Sequence, residues 1–452
     1  MGAVDRASAD PAMLDPRLRL ERRLERIAAR ERHVRAFVCH DADAARRMAE
    51  ASGTRLAAGR AFSALDGAVL GVKDVFETAD SPTTCGSPIL AGFEARRDAA
   101  AVAALRRAGA VVLGKTVTTE FAVGAAGPTR NPVALERSPG GSSSGSAAAV
   151  ADGMVDMALG TQTQSSTLRP ASYCGIVGFK PSFGAAPMGG AHPLAPSMDT
   201  MGLLAPDVTT AWTLLRVLCG EAWPEPLEAV RPVRVALLKT AGWAHADPGV
   251  LDAFARAVRA IEAAGVAVVD GMVGGREAHD AAALAALETE LADADTVSED
   301  ILAYEMEWPF RAYDEAHPGM LGHRVKALVD LGRAIDPDHH RANLVRRERM
   351  RARLTALGGN VDAVLTLASP TPAPLGSEAE GPPPGARSFC VPATLMGAPA
   401  LSLPVLSLPV PSVGEAPPAA LPVGLQVIAP PGRDRHLAAV GRWLERHLSP
   451  AS

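Results

Sequence analysis

The sequence predicts an α/β protein, a single domain built on one large mixed, mostly parallel twisted sheet with helices on both faces. Three observations carry that expectation. Helical periods alternate with short apolar runs at 98–113, 233–269 and 344–367, the rhythm of helix and strand in an α/β sheet. The chain has 452 residues, 48% of them hydrophobic, enough to bury a large core. No internal repeat divides it, and the stretches 376–387 and 409–418 read as surface loops inside one domain.

Taken in order, residues 17–38 set Leu18, Leu20, Leu24, Ile27 and Val34 among many Arg and Glu, an amphipathic helix with its charges outward. Residues 68–73 form a short apolar run that ends in Lys73 and reads as a buried strand. A helix is expected from Asp98, as N-cap, to Ala108, with Gly109 as its stop and a strand over 110–113. The stretch Arg137–Gly184 then breaks the rhythm. Two hydroxyl-rich turns of mostly small residues, 138–146 and 160–167, flank one apolar element, Ala147 to Leu159. Small residues at that density let backbone N–H groups approach a ligand, and two hydroxyl-rich turns held by one buried segment suggest hydroxyls brought to a common point.

Further along, strands are expected at 233–238, 266–269 and 361–367, with helices at 249–264 and 344–357 between them. Residues 216–375 are rich in Ala, Arg and Glu and mostly helical by period. They hold Tyr304, Trp308, Phe310 and Tyr313, four of the chain's 18 aromatic residues. That cluster is either a helix face packed on the sheet or an apolar wall of a binding site. Strands at 400–403 and 423–427 and an amphipathic helix at 434–448 complete the chain.

Composition excludes several classes of function. A net charge of −5 with dispersed charges leaves no basic footprint for nucleic acid. The five cysteines are scattered with no C-x-x-C pair, and His339-His340 sits in an Arg-rich helical stretch that reads as solvated, so no metal or other cofactor is expected. There is no apolar run of about 18 residues and no secretory h-region, which points to a cytoplasmic protein without a membrane partner. Gly140–Ser146 lacks the Gly-Lys-Ser/Thr ending of a phosphate loop.

Lysine usage is informative. Of 45 basic residues only five are lysine, at 73, 115, 180, 239 and 326, so a position that needs only positive charge would usually hold arginine. A lysine kept at the end of an apolar strand, where desolvation lowers its pKa, is consistent with chemistry that requires deprotonation. The plainer alternative is a lysine that reaches the surface beside Asp74.

The motifs together resemble the amidase-signature family. The likeness rests on Gly71-Val72-Lys73-Asp74, Gly114-Lys115-Thr116, Pro139-Gly140-Gly141-Ser142-Ser143-Ser144-Gly145, Ser197-Met198-Asp199-Thr200 and Leu421-Pro422-Val423-Gly424-Leu425-Gln426, and Ser166 follows Ser142 by 24 residues. The resemblance implies a catalytic core over 61–215, preceded by a helical segment (1–60). After the core come a variable, mainly helical substrate region (216–375) and C-terminal strands and a helix (376–452). It implies a Ser–cis-Ser–Lys triad of Lys73 as base, Ser142 as cis-peptide relay and Ser166 as nucleophile. Ser143 would orient the relay, and the backbone N–H groups of Thr163, Gln164, Ser165 and Ser166 would form the oxyanion hole. The expected activity is hydrolysis of a small-molecule carboxamide or related C–N bond. Homodimerisation is compatible with the N-terminal helix. A substrate pocket would draw on Glu120, Phe121, Tyr304 and Trp308.

The chain departs from the family's commoner Asp-Thr-Gly-Gly-Ser loop, having Gln162-Thr163-Gln164-Ser165-Ser166. The arginine often found two residues beyond the nucleophile is replaced by Leu168, with Arg169 one position later. Two other functions share the scaffold: the amidase component of a tRNA-dependent amidotransferase, which needs a partner protein for tRNA, and a non-catalytic binding protein. The departures and the low basicity favour the stand-alone amidase over the first, and the filled triad positions disfavour the second.

Overall fold

Alternation along the strands sends one set of side chains to each face of a central sheet. The computed structural model describes residues 15–270, 278–376, 382–410 and 419–449. Among them the strands are β1 (Phe37–His40), β2 (Val69–Lys73), β3 (Val111–Thr116), β4 (Met157–Gln162), β5 (Val177–Lys180), β6 (Thr200–Ala205), β7 (Arg234–Leu237), β8 (Ala267–Val269), β9 (Ala363–Leu367), β10 (Ala400–Val410) and β11 (Ala419–Ile428). They form one sheet in the order β1-β3-β2-β4-β6-β5-β10-β11-β9-β7-β8.

Val69, Val111, Leu113, Ala158 and Leu204 pack on one face in a core shared with α1 (Pro16–Val34), α2 (Ala42–Ala57) and α4 (Ser144–Ala151). Leu70, Val72, Val112, Leu159 and Leu203 point the other way, into the larger core with α3 (Ala100–Arg107), α6 (Val208–Leu218), α7 (Pro248–Ala263) and α13 (Asp434–Leu448). Helices therefore cover both faces of a mixed sheet, as expected from sequence. The parallel bias does not hold. Four ladders are parallel, β2–β3, β2–β4, β7–β8 and β7–β9, and the six others are antiparallel. The middle of the sheet runs antiparallel because β5 reaches β6 without a crossover helix and β10 pairs directly with β11.

Two local expectations need correction. The apolar element Ala147–Leu159 is two elements, α4 and β4, joined by a turn at Gly153, whose φ of 71° suits glycine. Asp98 does not cap α3, whose N-cap is Ala99; the Asp98 carboxylate instead accepts from Ala79 N–H and pairs with Arg106. The helix and strand ends at 16–34, 69–73, 248–263 and 434–448 fall within a few residues of the periods read from the sequence. Residues 377–381 and 411–418 of the two expected loops lie outside the described residues. The variable region supplies α8 (Ala278–Glu290), α9 (Ala294–Ala316), α10 (His323–Ala334) and α11 (Pro337–Leu357), and two short helices, α5 (Leu168–Cys174) and α12 (Val391–Leu395), complete the set. No described helix is long and apolar enough to cross a membrane.

Candidate active site

The two serine turns meet at the end of β2. Strands β2 and β4 pair in parallel, with Val72 opposite Leu159, so Lys73 and Thr161 emerge side by side at their carboxyl ends. The turn before α4 brings Ser142 to the same point, because α4 starts hard against β3. A Cβ on Gly145 would lie 2.2 Å from Ala36 O and 2.3 Å from Val117 N, so only glycine permits that approach. The Gly141–Ser142 peptide is cis.

Lys73 Nζ donates to Ser142 Oγ at 2.7 Å and to Thr161 Oγ1 at 2.7 Å. Its side chain is fully buried, and burial pushes its pKa from the usual lysine range down to about 7, with the Asp199 carboxylate and Cys85 opposing the shift. Burial thus favours the unprotonated form that a general base requires. Ser143 bridges the first turn to β4: its Oγ donates to Thr161 O at 3.3 Å and accepts from Thr161 N–H at 3.3 Å, and its own N–H donates to Ser166 O.

Ser166 is the one residue between Met157 and Cys174 that is not buried, and it lines the cavity above the turns together with Ser142. The backbone N–H groups of Gln164, Ser165 and Ser166 have no acceptor among the described residues. Donors unpaired beside an accessible hydroxyl suit a developing oxyanion. The loop that carries them is held on every side. Gln162 Oε1 accepts from the N–H groups of Thr167 and Leu168 at the start of α5, and Thr163 Oγ1 donates to Asp199 Oδ1 at 2.6 Å. Gln164 Nε2 donates to Ser298 Oγ, and Gln164 Oε1 accepts from Arg387. The larger side chain is thus drawn toward α9.

Arg169, displaced by one position in the sequence, is buried and joins both turns. Its Nη2 donates to Gly141 O at 2.7 Å and its Nε to Ser165 Oγ at 3.4 Å. Thr161, Asp199 and Arg169 are supporting residues to which the motifs alone assign no role. Asp199 stands inside the Ser197–Thr200 motif, and Thr161 is legible only as a hydroxyl next to the second turn.

The cavity has a volume of about 560 Å³, and its lining includes Ser142, Ser166, Arg169, Asp295, Arg324 and Arg387. None of the four residues expected to form the substrate pocket lines it. Trp308 is 75% exposed, and Tyr304 stacks on His340 at 4.0 Å between ring centroids. Phe121 (φ 45°) turns inward and packs edge-on against Phe310 at 4.9 Å and stacked on Tyr313. Glu120 is buried and accepts from Gly322 N–H at 3.0 Å, behind the cavity wall. His340, under Tyr304, is not solvated as expected, its side chain being 12% exposed. His192 is half-buried against Phe121 and Tyr313, and desolvation there lowers its pKa to about 4. Among the described residues no group of His, Cys, Asp or Glu is arranged to hold a metal ion.

Fold and site together are those of the amidase class of hydrolases: a mixed sheet, a lysine at a strand end, and a serine on a cis peptide beside it. The family model described as Amidase matches residues 19–438. The chain belongs to the amidase-signature family. It is similar to the A subunit of glutamyl-tRNA(Gln) amidotransferase from Anaeromyxobacter sp. (strain K), 33% identical over 95% of this chain and 92% of that protein. Among solved structures it resembles one described as an amidase, with a TM-score of 0.81, 31% identity and 96% of each chain covered. The native peptide amidase from Stenotrophomonas maltophilia aligns with a TM-score of 0.72 and 26% identity, over 97% of this chain and 94% of that one.

Proposed function

We propose that the protein hydrolyses a small carboxamide through an acyl-enzyme on Ser166, with Lys73 as general base and Ser142 as proton relay. The observation that carries this reading is the 2.7 Å contact between a fully buried lysine and the Ser142 hydroxyl on its cis peptide. Neutral Lys73 takes the Ser142 proton while Ser142 Oγ takes that of Ser166, and Ser166 Oγ attacks the carbonyl carbon. The resulting oxyanion faces the free N–H groups of the 164–166 turn. The proton returns through Ser142 to the departing nitrogen, and water completes the cycle by the same relay. A cytoplasmic setting and a small-molecule amide substrate belong to this reading, as does a homodimer if one forms.

A fluorophosphonate probe should label Ser166, and Ser166→Ala should abolish both labelling and turnover while leaving the fold intact. Mass spectrometry that places the label on Ser142 or Ser144 would exclude the assignment. EDTA should leave turnover unchanged.

A second reading is favoured by a specific observation: relatives that match nearly the whole chain are described as the A subunit of glutamyl-tRNA(Gln) amidotransferase. They favour that role more strongly than the loop departures and low basicity count against it. On this reading the same Ser166 chemistry releases an amide nitrogen for transfer, and a partner protein handles the tRNA. Purified protein that turns over simple carboxamides alone supports the first reading. Turnover seen only with glutamine, ATP, glutamyl-tRNA and the partner protein supports the other.

A further inference from the structure

Five charged side chains meet around the cavity. Arg324, at the start of α10, and Arg387, just before α12, both line it and share one carboxylate, that of Glu299 on α9. Arg324 Nη2 donates to Glu299 Oε1 at 2.8 Å, and Arg387 Nη2 lies 3.5 Å from Glu299 Oε2. Asp295, also on α9, accepts from Ser388 Oγ through Oδ2, while its Oδ1 is buried without a hydrogen bond. Arg169 lies at the end nearest the serine turns. Three guanidiniums thus stand against two carboxylates, and the wall is net positive. Burial pushes the Arg387 pKa below the ordinary arginine value; Glu299 opposes that shift and the Arg324 charge adds to it. Two like charges beside one carboxylate in a partly dry site are a standing Coulombic cost that a bound anion relieves.

Arg387 is also joined to the reacting end of the cavity. Its Nη1 donates to Gln164 Oε1 at 2.9 Å, and Gln164 lies two residues before Ser166 in the turn with the free N–H groups. Gln164 in turn donates to Ser298, on the helix that bears Asp295 and Glu299. Gln164, one of the residues that depart from the family's commoner loop, therefore connects the cationic wall to the serine turn.

Resting on the amidase reading, we propose that the cavity selects amides whose far end carries a carboxylate, bound by Arg324 and Arg387 in exchange for part of their contact with Glu299. A planar guanidinium matches a carboxylate in geometry as well as charge, and a neutral amide offers this wall nothing in return.

The test compares succinamate and glutaramate, the monoamides of succinic and glutaric acid, with the uncharged butanamide and pentanamide. At low ionic strength kcat/KM for the better anionic amide should exceed that of its neutral partner by about tenfold or more, and the ratio should shrink as salt is added. Arg324→Gln should lower the ratio by about tenfold, whereas Glu299→Gln, which frees both guanidiniums, should raise it. Calorimetric titration of glutarate into the Ser166→Ala protein needs no turnover; it should show binding that Arg324→Gln weakens. Equal turnover of charged and neutral amides with no glutarate binding sinks the anionic subsite and leaves the amidase reading standing. Glutarate binding without hydrolysis of any of the four amides keeps the subsite and sinks the amidase reading. A ratio that neither substitution moves also rules out the subsite.

Discussion

Two buried lysines end two strands of the same sheet, Lys73 on β2 and Lys180 on β5, and only one of them faces the cavity turns. Both are fully buried, and burial brings both to a pKa of about 7, with a nearby carboxylate, Asp199 or Asp434, opposing the shift. Their partners differ. Lys73 meets the hydroxyls of Ser142 and Thr161, whereas Lys180 donates to Pro181 O at 2.9 Å. A hydroxyl can give up a proton and a carbonyl cannot. Burial alone therefore lowers an amine's pKa, and the groups placed around it decide whether that amine can serve as a base. The same caution applies to reading perturbed pKa values as signs of function.

Substituting Lys73 should produce the largest difference between the two strand ends. Lys73→Arg keeps the charge but removes the base, because arginine stays protonated at working pH. Amide turnover should fall by about 10²–10⁴-fold, as in Lys73→Ala. Near wild-type turnover in the arginine variant, measured as kcat on a simple carboxamide, would show that Lys73 supplies only charge.

The pH profile separates the lysines next. A base must be neutral, and Lys73 is neutral above a pKa of about 7, so wild-type kcat/KM should rise with pH through about 7 and then level off. The limb should vanish in Lys73→Ala and persist in Lys180→Met. A limb lost in the Lys180 variant would place the base on the wrong strand.

Thr161→Val should have a smaller effect. It removes one of the two hydroxyls on Lys73 Nζ and should lower kcat by about tenfold while shifting the limb. Thr161→Ser, which keeps the acceptor, should recover most of the loss; equal impairment of both variants would mean that Thr161 acts through packing alone.

The smallest effect on rate is expected at Lys180. Lys180→Met should leave kcat within about twofold and change stability instead. The folded pKa of Lys180 lies below the unfolded value, so the wild type loses stability as pH falls from the ordinary lysine range to about 7. The gain in Tm from the methionine should therefore be largest below about pH 7 and smallest near pH 10, as calorimetry across that range would show. A variant that melts below wild type at both ends would make the Lys180–Pro181 contact a net stabiliser.

That Lys73 meets Ser142, and that Ser142 and Ser166 share one cavity, was legible because each residue lies in a short motif whose local conformation carries its meaning: a strand end, a Gly-Ser turn, a second turn. The pocket was not legible. Tyr304 and Trp308 sit on α9, and which face of a helix turns toward a cavity depends on what packs behind it. Here Phe310 and Tyr313 face Phe121, leaving Trp308 outward and Tyr304 stacked on His340. Glu120 and Phe121 are adjacent to the right loop, but the positive φ at Phe121 sends the ring into that aromatic cluster.

By itself the sequence determined the local pieces: helices and strands from their periods, a lysine where arginine is the rule, and two serine turns with too little bulk to be core. Hydrophobic periodicity and turn chemistry act over a few residues, so they can be read along the chain. Only the tertiary structure decided the rest: antiparallel pairing in the middle of the sheet, Thr161 beside Lys73, and Asp295, Arg324 and Arg387 gathered over Gln164. The Lys73–Thr161 and Gln164–Arg387 contacts join residues 88 and 223 positions apart. Their geometry is set by how the sheet orders its strands and where the helices pack, which no local pattern encodes.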